Sequence, residues 1–368
     1  MAVDLHFSAY EQWVENEGIP VAKGWSVNPV ELQVAPWERK GALGSIIHLN
    51  AMDDFADAYV LELPAGASST ADRHLFEEVL YVLKGRGATS VWLDDGYRQT
   101  FEWQEGSLFS IPLNANYQHF NGSGDESARI LAITGAPFMM NMFHSMDFIY
   151  NNPFVFSERF GDADFFQGEG KLHPVRPGRT WWETNFVPDA RNFLLKEWKE
   201  RGAGGINLQF NLADNNMHTH ISEFPVATYK KAHGHAAGAQ IIILEGTGFS
   251  LVWPDNQYWK GNGGGFDEVV KIDWKPGVFF APVGYHQHFN TGPTPARYMA
   301  IGFGGPRYFV ATDLGTGGTK ILEVMDKSVK DGGIQIEYED EDPSILDWFE
   351  AECTSNGVQS RMREIMGR

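Results

Sequence analysis

Four histidines in two short stretches are the residues of this 368-residue chain best placed to do chemistry. The stretch KKAHGHAAGAQ holds His233 and His235, separated by one residue and followed by the apolar run IIIL. The stretch GYHQHFN holds His286 and His288 at the same spacing. On an extended strand, residues two apart share a face. Each pair can therefore aim both imidazoles at one point. Neutral imidazole ligates Fe, Zn, Cu, Ni and Mn, and its proton exchanges near neutral pH. One such pair is as readily two polar side chains on a loop. Several histidines converging from two stretches have few explanations besides a metal or acid–base site.

The elements that must position them show in an internal repeat. The segment YVLELPAGASSTADRHLFEEVLYVLKGRG, from Tyr59, aligns without gaps on HISEFPVATYKKAHGHAAGAQIIILEGTG, from His220. Gly85 answers to Gly246 and Trp92 to Trp253. After a Gly-rich insertion (GNGGGFDEV) in the second copy, the match resumes, and QHFN occurs in both. Each copy reads as short β-rich runs bounded by Gly, Pro and Asp, the pattern of a sandwich or barrel. Between the copies, DARNFLLKEWKERG predicts a helix from Asp189 to Gly202. After the acidic EYEDEDPS, the segment SILDWFEAECTSNG predicts an amphipathic helix following Pro343 that docks on the rest. The expected division is residues 1–140 for a first barrel, 141–215 for a linker, 216–315 for a second barrel and 316–368 for an acidic tail.

Composition narrows the function class. A net charge of -19 disfavours nucleic acid and anionic membrane as partners. The single cysteine, Cys353, leaves no internal disulfide and no thiolate cluster. The beginning of the chain lacks the pattern of a secretory signal, and no apolar stretch is long enough to span a bilayer. These observations predict a soluble, cytoplasmic protein and exclude little else.

The frame of each copy resembles the two motifs of the cupin superfamily. The first copy carries Gly66, Asp72, His74, Glu78 and Gly85, then Gly106, Pro112, Asn114, Tyr117 and Asn121. The second carries His233, His235, Ala239 and Gly246, then Gly277, Pro282, Gly284, His286 and Asn290. The resemblance implies an all-β fold of two cupin (double-stranded β-helix, jelly-roll) barrels, with a helical linker and a C-terminal helix. It implies a metal held by His233, His235 and His286, with Ala239 standing where the motif has a glutamate. Gln240, the next residue, is a further candidate ligand if a bulge turns it inward. The paired histidines are similar to those of gentisate and salicylate 1,2-dioxygenases, which implies His286 as ligand and His288 as an acid–base helper. In those enzymes the working site lies in the first barrel, whereas here the full histidine set is in the second.

The first copy offers Asp72, His74, Glu78 and His119 as a second metal set. The reading preferred here is a barrel kept for structure. His220 is placed at the pocket mouth, a possible substrate contact, and equally reads as a surface histidine; Lys230 and Lys231 could meet an anionic substrate, and are expected instead to be solvated. The function expected is a metal-dependent dioxygenase, with Fe(II) ahead of Mn, Zn, Ni or Cu, acting on a small chelating aromatic substrate. The alternatives are a non-oxidative cupin isomerase, lyase or hydrolase, and a small-molecule binder without catalysis. Cupin barrels often pair, which implies a homodimer or higher homo-oligomer.

Overall fold

The computed structural model describes residues 7–50, 52, 55–176, 179–197, 202–235, 239–253, 269–303, 324 and 326–367. The Gly-rich insertion of the second copy lies almost wholly outside the described residues. Strands dominate, as the alternation of apolar residues and turn residues predicts, and they assemble into two barrels of cupin type. In the first, an eight-stranded sheet centred on Asp57–Leu63, Ala128–Thr134 and Glu78–Lys84 faces a three-stranded sheet of Asn116–Asn121, Arg86–Trp92 and Arg98–Gln104. In the second, the equivalents Met217–Phe224, Ala296–Phe303 and Gln240–Glu245 face Gly284–Asn290, Gly248–Trp253 and Val270–Trp274.

Alternation within these strands sorts side chains into interior and seam. Along Glu78–Lys84, Leu80 and Val82 enter the interior of the first barrel, with Tyr59 and Trp103. Val79 and Tyr81 enter a seam between the barrels, with Ile242, Met299 and Ile301. Along Gln240–Glu245, Ile241 and Ile243 face the second interior with Phe224, Trp274 and Tyr298. Each fully buried side chain of this kind contributes about 1.5–3 kcal/mol.

The repeat is also visible in the backbone. Gly85 and Gly246 both adopt φ +88, and a Cβ there would stand 2.8 Å from Ala128 Cα and 2.7 Å from Ala296 Cα. Only glycine reverses the chain at that point without strain.

The segments outside the repeat lace the barrels together. Ser26–Val27, from the N-terminal region, pairs with Phe279–Phe280 of the second barrel. Phe186–Val187, from the linker, pairs with Leu108–Ser110 of the first. Strand pairing thus crosses the expected boundaries at both ends. The linker is helical at its start, in Ala136–Phe143 and Met146–Asn151. The helix expected from Asp189 is not found: described residues 189–197 are a turn and the strand Lys196–Glu197. The Asp189 carboxylate accepts from the Arg191 N–H and the Asn192 amide, a local turn that competes with a helix. Leu195 is drawn into the seam.

The terminal helix forms as expected over Pro343–Ser355, capped by the Asp342 side chain. Its buried face, Ile345, Leu346, Phe349 and Cys353, packs on Tyr229, Phe249 and Phe289 outside the second barrel. Among the described residues, no helix is long and apolar enough to cross a membrane.

Candidate metal centre and its counterpart

In the second barrel, His233–His235 pairs antiparallel with Gly284–Asn290, so that His233 stands directly opposite His286. Both are buried, and their ring centroids are 4.3 Å apart. His288 lies on the same face, 5.3 Å from His286 and 6.3 Å from His233. Three of the four histidines singled out therefore converge in the barrel interior. The backbone of His235 continues this strand, and its side chain lies outside the described residues. Among the described residues no three His, Cys, Asp or Glu side chains form a metal cage.

The ring orientations follow from hydrogen-bond partners. His286 Nδ1 is 3.1 Å from the Gly284 carbonyl. A carbonyl only accepts, so Nδ1 carries a proton, the orientation that carbonyls behind a metal site impose on ligating imidazoles. His288 differs. Its Nδ1 is 2.8 Å from Ser250 Oγ, and Ser250 Oγ accepts from Trp274 Nε1 at 3.0 Å. Indole can only donate, and the Ser250 hydroxyl then has both its proton and a second lone pair for His288 Nδ1, so the contact fits either tautomer. That arrangement fixes the orientation of the His288 ring beside His286. The donor set therefore suits a nitrogen-liganded divalent metal at His233 and His286, with His288 beside it.

The first barrel builds the same frame with other residues. Tyr117 and Asp72 exchange backbone hydrogen bonds of 2.9 Å, the counterpart of the His286 and His233 pair. His119 Nδ1 is 2.8 Å from Thr89 Oγ1, which accepts from Trp103 Nε1 at 2.9 Å. This copies the His288, Ser250 and Trp274 relay. Burial, with Lys40 nearby, pushes the His119 imidazole down to about 3, so it stays neutral.

Lys40 lies among the residues offered as a second metal set in this barrel. Its ammonium lies 2.7 Å from Asp72 Oδ2 and donates to the Tyr117 hydroxyl at 2.9 Å. Tyr117 OH is 2.9 Å from His74 Nε2, His74 is 3.3 Å from Glu78 Oε2, and Tyr59 donates to Glu78 at 2.8 Å. Asp72, His74 and Glu78 are brought together, but around a tethered cation. Burial alone would raise the Asp72 carboxyl; the Lys40 charge overrides it and holds it at about 2. Burial would likewise raise Glu78, and His74 and Lys40 hold it below the usual range. The ammonium already satisfies these oxygens, which favours the reading of a barrel kept for structure.

Other candidates are placed as follows. Gln240 pairs with Ile301 and shares the face of Ile242, which enters the seam. Ala239, not Gln240, occupies the inward position of Glu78, so the register counts against Gln240 as a ligand. Among the described residues its amide has no hydrogen-bond partner. His220 lies half-buried on the inner wall, 6.2 Å from the Tyr298 ring and 6.2 Å from His218. Lys231 is paired with Glu337. Lys230 is not solvated: it is 2% exposed. Sequence reasoning missed Lys40, which lies outside the repeat and leaves no signal there. It also missed the hydroxyl–indole pairs, although the repeat aligns Thr89 with Ser250 and Trp103 with Trp274.

The fold and the paired sites define a protein of two cupin-type barrels. Residues 41–157, which hold most strands of the first barrel, match the family model described as auxin binding protein. No curated protein sequence matches the chain. Among solved structures, the chain is similar to Bacillus subtilis oxalate decarboxylase at pH 4.6, with 12% identity over 77% of this chain and 76% of that one, TM-score 0.47. Another structure of that enzyme, described with Mn(II) centres, has 12% identity over 77% and 78%, TM-score 0.46. Hazelnut (Corylus avellana) vicilin has 12% identity over 76% and 85%, TM-score 0.45.

Proposed function

We propose that the chain is a metal-dependent oxygenase, a dioxygenase using Fe(II), with its site in the second barrel and a small chelating aromatic substrate. The observation that carries this reading is the facing pair His233 and His286, whose ring centroids stand 4.3 Å apart in the barrel interior. His235 completes the set by its sequence spacing. Nitrogen ligands without a carboxylate leave the ion its full charge, and a bound Fe(II) would supply oxygen activation and polarise a chelating substrate. The chain's own residues do the rest. His288, oriented by Ser250 and Trp274, stands where an imidazole can exchange a proton with a bound substrate. Phe280, Trp274 and Tyr298 give the interior the flat apolar walls that suit an aromatic ring.

A second reading is favoured by the same proton exchange at His288: a non-oxidative lyase or isomerase in which the metal polarises a carbonyl and His288 returns a proton. Metal analysis of fresh protein, followed by oxygen uptake after Fe(II) reconstitution with dihydroxybenzoates and diketones, decides. Iron with substrate-dependent uptake is expected. Turnover without oxygen supports the second reading, and neither iron nor uptake overturns the first.

A further inference from the structure

The acidic tail reaches the histidine strand of the second barrel and pairs with it. Gly234 donates its N–H to the Ile334 carbonyl at 3.0 Å, and Ile336 donates to the Ala232 carbonyl at 2.8 Å. Gln335 thus stands opposite His233 on one edge, as His286 does on the other. Side chains fasten the same segment. Lys231 pairs with Glu337, and Tyr338 donates its hydroxyl to the Tyr229 carbonyl at 2.7 Å. Ile336 is buried in one cluster with Phe289 and, from the terminal helix, Phe349.

The second histidine strand is tied to the same tail. Gln287 lies between His286 and His288 in sequence and is fully buried. Alternation turns its side chain away from theirs. Its amide donates to the Lys230 carbonyl at 3.0 Å and to Glu341 Oε2 at 3.2 Å, and Glu341 also accepts from the Tyr229 hydroxyl. One amide and one carboxylate therefore join both histidine strands to the tail.

The first barrel separates frame from addition. There Gln118, from the first QHFN, donates to the Ser69 carbonyl at 2.7 Å, and Ser69 is the repeat counterpart of Lys230. The glutamine staple is thus common to both barrels. Arg73 answers to Gly234, and its N–H is met by the adjacent Asp72 carboxylate at 2.8 Å. His233 stands in the place of Asp72 and brings no carboxylate, and the Ile334 carbonyl of the tail takes over that N–H.

We propose that tail residues 334–341 complete the metal-binding site of the second barrel from outside, with Gln287 and Glu341 as positioning residues that hold the His233 strand against His286. This rests on the metal reading of the same site. Metal–ligand distances are met to within about 0.2 Å, and the strand His233–His235 is only three residues long. Pairing on both edges supplies the precision that its length does not. By linkage the coupling is mutual: the tail raises metal affinity, and bound metal holds the tail.

The test uses the full chain, stripped with chelator and titrated with Co(II), read by calorimetry and by the visible absorption of the bound ion. Gln287→Ala should weaken Co(II) binding about tenfold or more and alter its spectrum, as removal of a group that orients a metal ligand does. Glu341→Ala should act in the same direction, and Glu341→Gln, which keeps an oxygen acceptor, should restore most of the affinity. Gln118→Ala removes the same staple from the first barrel and should leave affinity and spectrum unchanged. Bound Co(II) should slow hydrogen exchange at residues 334–338. A folded Gln287→Ala protein with wild-type affinity and spectrum overturns the proposal. So does a Gln118→Ala protein weakened equally, or tail exchange indifferent to the ion. Should Gln287→Ala not fold by circular dichroism, the Glu341 variants and the exchange decide. A wild type that binds no more Co(II) than His286→Ala overturns the metal reading and the proposal with it. A wild type that binds it, with no effect of Gln287→Ala, overturns the proposal alone.

Discussion

The two barrels share a frame and fill it in opposite ways. Both hang an inward histidine, His119 or His288, on a hydroxyl that an indole N–H has already engaged. Both bury a lysine. In the first barrel, Lys40 lies among Asp72, Tyr117 and Glu78, and every strong acceptor there has a proton donor. In the second, the two acid positions are His233 and Ala239, and Tyr117 becomes His286. Acids and a phenol around a lysine in one barrel are replaced by imidazoles in the other, the donor set on which the proposed metal site rests. The difference teaches that a cupin barrel can keep its geometry while its charge balance decides whether it hosts a ligand.

The comparison breaks most sharply at the ligands. His286→Ala and His235→Ala should each leave the protein without metal in the second barrel and without activity, by elemental analysis and turnover. His74→Ala should keep both. Equal losses would reverse the assignment of roles to the two barrels.

The paired relays sharpen it further. Ser250→Ala should lower turnover about 10–100-fold at unchanged folding, as loss of a group that orients a site histidine does. Thr89→Ala should cost about 1–3 kcal/mol of stability and leave turnover in place. If Thr89→Ala impairs turnover as much as Ser250→Ala, the first barrel is catalytic too.

Lys40→Met tests the self-neutralised core. Removing one partner of a buried charge cluster costs about 3–5 kcal/mol, measured by urea unfolding. The folded fraction should keep normal metal content. A variant of unchanged stability would show that the ammonium is not what balances Asp72 and Glu78.

The smallest effect is on pH dependence. His119 falls from 6.5 to about 3, and Asp72 from 3.8 to about 2. Between those values the unfolded chain binds protons that the fold does not, so stability rises with pH. The contribution is complete above 6.5 and is lost from there down to about 3 for His119, and from 3.8 down to about 2 for Asp72. His119→Asn should flatten the fall of the urea midpoint between neutral and acidic pH. An unchanged slope would remove His119 from the account.

Much of this was legible in the residues. The repeat, with its glycines at Gly85 and Gly246 and its shared QHFN, predicted two barrels. Spacing by two predicted that His286 and His288 share a face, and Pro343 after an acidic run marked the terminal helix. The helix expected at Asp189 failed because the Asp189 side chain closes its own turn and Leu195 has a seam to enter. Gln240 was readable only with the register, since a bulge could have turned it either way.

The sequence by itself determined the frame, because strand period and glycine turns are local properties of the chain. It also determined which barrel carries the imidazoles. Only the tertiary structure decided the charge balance within each barrel. Lys40 comes from outside the repeat, and Lys230 from a stretch that reads as solvated. Burial is set by what the chain packs against, and a buried ammonium must find its counter-charge in space, not in sequence.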